Sequence, residues 1–171
     1  AAGYSDDALD RPIVGITNTF SDYNPCHGNI PALIEAAKRG IMLAGGMPMV
    51  FPTISIHESF AHPTSMFLRN LMAMDTEEMI RAHPLDGVVL LANCDKTTPA
   101  QLMGAASANV PAILLTGGPH LSGRFRGESL GACSDCRHYW AEYRAGNVDD
   151  DAMHELEEGI NRSDGHCTVM G

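Results

Sequence analysis

Short apolar runs alternate along this chain with longer segments in which apolar residues recur at helical spacing. Four runs rich in aliphatic and β-branched residues predict strands, the first of them buried, namely RPIVGITNT, MPMVFPTIS, DGVVLLAN and VPAILLTGG. The segment 30–44 has apolar residues at helical spacing, with Pro31 in its first turn and Gly45 just after it, so we predict a helix there. Strands that alternate with helices indicate an α/β fold with a mostly parallel sheet flanked by helices.

Further helices are predicted between and after these strands. SMFLRNLMAM predicts a helix rich in methionine, and DTEEMIRAH predicts a separate one in which Asp75 caps the N-terminus and Glu78 completes a capping box. PAQLMGAASAN predicts a helix whose small residues permit close packing on one face. Beyond Gly118 we expect a long loop that contains glycine and arginine, and then an acidic helix with the aspartates 149–151 at its N-terminus.

Chemically reactive side chains follow three of the predicted strands. Cys26 comes after the first strand, Glu58 after the second, and the triplet 94–96 (Cys-Asp-Lys) after the third, while a Gly-Gly step follows the fourth. In parallel sheets, ligands bind beyond the carboxyl ends of the strands. We therefore expect a functional site where these loops meet.

The triplet Cys94, Asp95 and Lys96 combines three kinds of chemistry where a strand gives way to a helix. A thiolate suits iron or zinc, whereas a carboxylate suits a hard ion such as Mg²⁺. A plainer interpretation is a small buried cysteine beside a solvated Asp–Lys ion pair, with Glu58 as a solvated loop acid. The position at a strand end favours the functional interpretation.

The composition restricts the class of protein. The chain has 171 residues, 44% of them hydrophobic, which suits one globular domain. Its formal charge of -10 argues against a nucleic-acid or anionic-membrane partner. No apolar run is long enough to cross a bilayer and the N-terminus has no signal-peptide pattern, so we expect a soluble, cytoplasmic protein. The five cysteines are an odd number, which favours free thiols or metal ligands over disulfides.

Two further motifs allow more than one interpretation. Cys133 and Cys136 have the C-x-x-C spacing of a zinc or redox half-site, but no second half-site follows at a suitable spacing, so we favour a structural role. Arg124 and Arg126, in GGPHLSGRFRG, are equally consistent with bidentate binding of a carboxylate and with a solvated basic loop.

Four motifs in a fixed order carry a resemblance to a known family. CDKTTPAQLMGAA resembles the Cys-Asp-Lys motif of the dihydroxy-acid and sugar-acid dehydratases, and SDYNPCHGN, GGPHLSGRFRG and DGHCTVMG fall in the expected order around it. The similarity extends from about residue 11 to residue 171. GHC and FPTISIHES are more similar to the sugar-acid (pentonate and hexonate, for example arabinonate) branch than to the branched-chain amino-acid enzyme.

The resemblance implies an iron–sulfur cluster whose three cysteine ligands are here Cys26, Cys94 and Cys167. The sugar-acid branch favours a [2Fe–2S] cluster over a [4Fe–4S] cluster. Three thiolates leave one iron position open, so the cluster can act as a Lewis acid on the C3 hydroxyl of a 2,3-dihydroxy acid.

The resemblance also implies a Mg²⁺ site formed by Glu58, Asp95 and a carbamylated Lys96, with Asp95 and Lys96 as catalytic residues. Carbamylation turns the ammonium into an anionic oxygen ligand. The ion would hold the substrate carboxylate and C2 oxygen and stabilise the developing enolate. The implied activity is that of a hydro-lyase, a dehydratase that converts a sugar acid to a 2-keto-3-deoxy acid.

Members of this family are several times longer, and their β-barrel-like second domain supplies a serine base and a further Mg²⁺ ligand. The chain begins without Met and ends just past Cys167, so we expect residues 1–171 to be an incomplete N-terminal α/β domain that is inactive alone. The resemblance implies a small-molecule substrate and a homodimer or homotetramer. The alternatives are a dihydroxy-acid dehydratase of branched-chain amino-acid synthesis and a non-catalytic metal or iron–sulfur binding module that uses Cys133 and Cys136.

Overall fold

Four parallel strands form the central sheet of the computed structural model, which describes residues 3–166 apart from the side chains of residues 132 and 133. The strands run in the order β2-β1-β3-β4. Their bounds are β1 Ile13–Asn18, β2 Met47–Pro52, β3 Gly87–Ala92 and β4 Ala112–Thr116. All four predicted strands and their parallel pairing are therefore confirmed.

Helices cover both faces of this sheet. In chain order the first four are α1 Asp6–Leu9, α2 Ile30–Leu43, α3 Arg69–Ala82 and α4 Thr97–Ala108. On one face, Ile30 and Ile34 of α2 pack against Ile16 and Leu91. On the other face, α3 and α4 cover a cluster formed by Phe51, Ile80, Val88, Leu90 and Ala105. Burial on both faces explains the continuous apolar runs of β1 and β3. β4, at the edge of the sheet, is largely exposed, and the Ile113 side chain is 64% exposed.

The predicted boundary at Asp75 is wrong. A 3₁₀ turn, Ser65–Leu68, leads into α3, which continues through Asp75 without a break. The Asp75 carboxylate accepts a hydrogen bond from the Ile54 backbone N–H, at 2.8 Å, and caps no helix. A buried stripe that includes Met72, Thr76 and Ile80 crosses the position, so tertiary packing outweighs the local capping signal.

The small residues of α4 allow the close packing that the sequence predicted. A Cβ atom built on Gly104 would lie 2.6 Å from the Ala73 carbonyl oxygen and 2.7 Å from the Thr76 Cβ atom. The backbones of α3 and α4 therefore approach more closely than any larger residue at position 104 permits.

The long loop predicted beyond Gly118 instead contains regular structure. Two short antiparallel strands, β5 Gly123–Phe125 and β6 Glu128–Leu130, form a hairpin that is followed by α5, Ala132–Arg144. The last helix, α6 Asp150–Ile160, begins as predicted at the aspartate run, where Asp149 accepts a hydrogen bond from the Ala152 N–H, at 2.9 Å. A second apolar core joins α6 to the hairpin and contains Phe125, Leu130, Ala152, Met153, Leu156 and Ile160.

Among residues 3–166, no helix combines the length and the apolar character that crossing a membrane would require.

Candidate active site

The loops that leave the carboxyl ends of β1, β2 and β3 carry the residues singled out from the sequence. Cys26 lies in a 3₁₀ turn, Pro25–His27, after β1, and Glu58 begins another, Glu58–Phe60, after β2. Residues 94–96 connect β3 directly to α4. Parallel topology therefore brings segments that are far apart in sequence to one edge of the sheet.

Two of the three cysteines assigned to the cluster lie in contact. Cys26 and Cys94 are both buried, and the Cys94 thiol lies within hydrogen-bonding range of the Cys26 sulfur. This hydrogen bond lowers the pKa of Cys26 far below the usual thiol value, against the effect of burial, and His57 lowers it further. The same contact, together with burial, raises the pKa of Cys94. The pair therefore presents two adjacent sulfur atoms, and their contact favours the thiolate form of Cys26.

Lys96 lies between two carboxylates beside this pair. Its Nζ atom is 2.7 Å from Asp95 Oδ2 and 3.2 Å from Glu58 Oε2, and its side chain is only 10% exposed. Burial lowers the pKa of Lys96, but the ion pairs with Asp95 and Glu58 outweigh it and raise the pKa above its usual value. The three side chains assigned to Mg²⁺ thus converge, with an ammonium group in the middle.

Glu58 is held from two sides. Its Oε2 atom accepts hydrogen bonds from the backbone N–H and the hydroxyl of Ser65, and Arg137 of α5 donates to Oε1 at 3.0 Å. Burial raises the pKa of Glu58, but hydrogen bonds from Ser65, Thr64 and Lys96 overcome this and lower the pKa to about 2. Glu58 is therefore a fixed carboxylate anion, not the solvated loop acid of the plainer interpretation.

Several buried polar atoms at this edge have no partner within the described part of the chain. They are the side-chain oxygens of three asparagines and one ring nitrogen, namely Asn24 Oδ1, Asn29 Oδ1, Asn93 Oδ1 and His120 Nε2. All four residues belong to loops at the carboxyl ends of the strands, two of them flanking Cys26 in sequence. Buried polar groups are nearly always satisfied, so their grouping here is typical of a site that binds a polar ligand.

A cavity of about 650 Å³ opens beside Cys26 and Glu58. One wall of the cavity is the face of α5 that carries Arg137, Trp140 and Arg144, spaced three and four residues apart. The volume suits a small organic molecule. Sequence reasoning missed this wall because it assigned no helix there, although the three-then-four spacing of these side chains is a helical signal.

Other predicted residues lie elsewhere or are not described. Cys167 lies outside the described residues, and within residues 3–166 no three His, Cys, Asp or Glu side chains are arranged to hold a metal ion together. Arg126 pairs with Glu155 at 3.1 Å and lies over the Phe125 ring, which agrees with a solvated basic loop. Arg124 is also exposed, and neither arginine lines the cavity.

Cys136 lies at the cavity wall and packs against the second apolar core. Burial is the main cause that raises its pKa. This environment suits a structural thiol, whereas the Cys133 side chain is not described.

The residues present fit the two cofactors that the resemblance implies. Thiolates such as those of the adjacent Cys26 and Cys94 are the ligand type that iron–sulfur clusters use, and carboxylates such as those of Glu58 and Asp95 are the type that a hard divalent ion prefers. Unpartnered polar atoms at the same edge are consistent with a bound group.

Comparison with known proteins agrees with this chemistry. Residues 11–171 match the N-terminal domain of the dihydroxy-acid/6-phosphogluconate dehydratases. The chain belongs to that dehydratase family. L-arabonate dehydratase of Azospirillum brasilense is 48% identical to it over 162 residues, and 6-deoxy-6-sulfo-D-gluconate dehydratase of Pseudomonas putida is 44% identical over 163 residues. A dihydroxy-acid dehydratase of Lachnoclostridium phytofermentans is 36% identical over 175 residues.

These matches cover 94%, 95% and 99% of the chain but only 28%, 28% and 31% of the three relatives. The chain therefore spans about 30% of the length of the dehydratases it matches, and corresponds to their N-terminal domain. Higher identity to the two dehydratases of sugar acids agrees with the branch that the motifs indicated.

Proposed function

We propose that the protein that contains this chain is a hydro-lyase that dehydrates a 2,3-dihydroxy sugar acid to a 2-keto-3-deoxy acid. The observation that carries the proposal is the meeting, at one edge of the sheet, of a cysteine pair with two carboxylates and a lysine. Soft sulfur and hard oxygen ligands side by side suit two different metals that act on one small substrate.

Cys26 and Cys94 would hold an iron–sulfur cluster together with Cys167, and Glu58, Asp95 and a carbamylated Lys96 would hold Mg²⁺. When bound, the two groups supply Lewis acidity to the C3 hydroxyl and to the oxygens of the carboxylate and C2. The substrate loses the C2 proton and the C3 hydroxide as water, and the resulting enol tautomerises to the keto acid. We favour a [2Fe–2S] over a [4Fe–4S] cluster on the resemblance to the sugar-acid branch.

The chain's own residues have three tasks in this scheme. Asp95, and Lys96 once carbamylated, would place anionic oxygen beside the sulfur pair. Ser65 and Arg137 keep Glu58 ionised and oriented toward them. Arg144 adds positive charge to the α5 wall of the cavity, beside the Arg137 guanidinium that is paired with Glu58, and this favours entry of an anionic acid.

The iron assignment predicts a coloured protein. Purified without air at its full natural length, the protein should show visible iron–sulfur absorption and contain iron and sulfide, whose ratio and electron paramagnetic resonance spectrum identify the cluster. Cys94→Ser should lose the absorption and the formation of 2-keto acid, because a hydroxyl is a poor ligand for iron.

Cys136→Ser is the matched control, since Cys136 lines the same cavity but packs against the second core. It should keep both the colour and the activity. A Cys94→Ser protein that remains coloured, or a Cys136→Ser protein that loses its metal, would contradict the assignment and favour the non-catalytic metal-binding module.

A dihydroxy-acid dehydratase of branched-chain amino-acid synthesis is the second candidate, supported by 36% identity to such an enzyme. The ratio of kcat/KM for L-arabinonate to kcat/KM for a branched-chain 2,3-dihydroxy acid separates the two. A ratio above one supports the sugar-acid proposal, and a ratio below one favours the branched-chain enzyme.

A further inference from the structure

His27 lies directly after Cys26, and its side chain is fully buried. Its Nδ1 atom is 2.6 Å from the Thr19 carbonyl oxygen, and its Nε2 atom is 3.1 Å from the Thr97 hydroxyl. Thr97 is equally buried and opens α4, three residues after Cys94. His27 therefore connects the loop that carries Cys26 to the turn that carries Cys94.

The partners of His27 fix the positions of its protons. A carbonyl oxygen only accepts hydrogen bonds, so Nδ1 carries a hydrogen. A neutral imidazole carries one hydrogen, so with Nδ1–H donating to Thr19 the Nε2 atom is the acceptor. The single hydrogen of the Thr97 hydroxyl then points to Nε2.

The Thr97 oxygen keeps its lone pairs for a second contact. The Cys94 backbone N–H donates to this oxygen at 3.1 Å. A continuous series of bonds thus runs from the Cys94 N–H through Thr97 and His27 to the Thr19 carbonyl. Two longer contacts of 3.4 Å accompany it, from the Thr97 hydroxyl to the Cys94 carbonyl and between the Ser55 hydroxyl and His27 Nδ1. A second hydrogen bond also connects the two loops, because the Asn93 side chain donates to the Cys26 carbonyl at 2.7 Å.

We propose that His27 and Thr97 form a positioning pair that holds Cys94 against Cys26 before any iron binds. The role rests on the proposed function, in which both sulfurs bind one cluster. Preorganised ligands lower the conformational cost of binding, and a buried bonded network holds one arrangement where a merely apolar contact would not.

Thr97→Val tests the pair, with Thr97→Ser as its matched control. Valine has the shape of threonine without the hydroxyl, so both His27 Nε2 and the Cys94 N–H lose their buried partner, whereas serine keeps both bonds. His27→Asn is a second variant that keeps the donor to Thr19 but removes the Nε2 acceptor. All are made in the full-length protein.

The first readout needs no iron. In chelator-treated protein, the rates of iodoacetamide labelling of Cys26 and Cys94 are followed by peptide mass spectrometry. Thr97→Val and His27→Asn should each label about fivefold faster or more, which is the effect of one lost buried hydrogen bond on a local opening equilibrium. Thr97→Ser should label at the wild-type rate.

The second readout is the visible circular dichroism and iron content of the loaded protein, which should change in Thr97→Val and be restored in Thr97→Ser. The double variant, Thr97→Val with His27→Asn, should label no faster than the faster of the two single variants, because the effects of substituting residues that act as a unit do not add. Equal labelling of Thr97→Val and Thr97→Ser, or additive effects of the two substitutions, would overturn the proposal.

The two readouts separate this inference from the proposed function. Wild-type protein that never contains iron would refute the cluster, while the labelling rates would still decide whether the pair positions Cys94. Far-UV circular dichroism of each metal-free variant shows that it is folded. If Thr97→Val does not fold, His27→Asn decides by the same labelling criterion.

Discussion

Lys96 is the residue whose chemistry depends most on its neighbours. Its ammonium group lies between Asp95 and Glu58, and these ion pairs stabilise the charged form. A carbamate forms only from the neutral amine, which adds CO₂ and releases a proton. Carbamylation therefore requires that something else neutralise the two carboxylates, and a divalent cation is the group that would do so.

We predict that carbamylation of Lys96 depends on Mg²⁺. Protein equilibrated with ¹³C-labelled bicarbonate should give a carbamate carbon signal when Mg²⁺ is present and lose it after chelation. Lys96→Arg is the control, because its guanidinium keeps the positive charge but forms no carbamate. A carbamate signal that persists without metal would show that carbamylation does not depend on Mg²⁺, and a signal that never appears with Mg²⁺ would show that Lys96 is not carbamylated.

Some residues of the site followed from the sequence and others did not. Cys26, Glu58 and Cys94 could be placed together because each follows a parallel strand, and topology fixes where such positions meet. Arg137 could not, since its partner Glu58 precedes it by 79 residues and no local pattern encodes their contact. Long-range contacts of this kind depend on how the second core packs against the sheet.

At the scale of secondary-structure elements, the length of a strand determined whether the sequence could predict it. The four sheet strands have five or six residues, enough for an apolar run to be recognised. The hairpin strands have only three residues each, too few to show a period. The start of α5 has no side-chain cap, so the sequence carries no start signal there.

We predict that replacing two helical glycines by alanine changes the stability of the protein in opposite directions, because only one of them lies where α3 packs on α4. Gly104→Ala places a methyl group 2.6 Å from the Ala73 carbonyl, and we expect a loss of about 1–3 kcal/mol, the usual cost of overpacking. Gly40→Ala, in α2, meets no atom within 4 Å and should raise stability by about 0.5–1 kcal/mol. Both substitutions improve helix propensity, so only packing distinguishes them.

Shifts of the thermal midpoint of metal-free protein measure this pair. A stabilised Gly104→Ala protein would mean that α3 and α4 separate at little cost, and that the small-residue face of α4 does not set their distance. A destabilised Gly40→Ala protein would mean that position 40 is covered by a partner.

At the scale of the whole molecule, the chain leaves the sheet after β4, forms the hairpin and two helices, and then returns to the same edge. The returning segment contacts the loop after β4 at His166. The His166 N–H donates to the Gly118 carbonyl and the His166 carbonyl accepts from the His120 N–H, at 3.0 Å each, which forms a parallel bridge. The cavity lies between the sheet edge and the returning segment, with Cys26 on one side and Gly165 on the other. Gly165 thus belongs both to the cavity lining and to the returning segment.

Gly165 is the position where this return can be tested, because Cys167 follows two residues later. Its φ of 133° lies in a region that favours glycine, and a Cβ atom there would lie 2.5 Å from the His120 backbone nitrogen. We expect Gly165→Ala to push the returning segment away from His120 and to lower the iron content of the full-length protein.

Gly146→Ala is the control, since Gly146 also has a positive φ, of 79°, but a Cβ atom there meets no atom within 4 Å. It should cost about 1 kcal/mol of backbone strain and leave the iron content unchanged. If Gly165→Ala retains full iron, the bridge at His166 is not needed for iron binding; if both variants lose iron equally, general instability and not the clash at His120 is responsible.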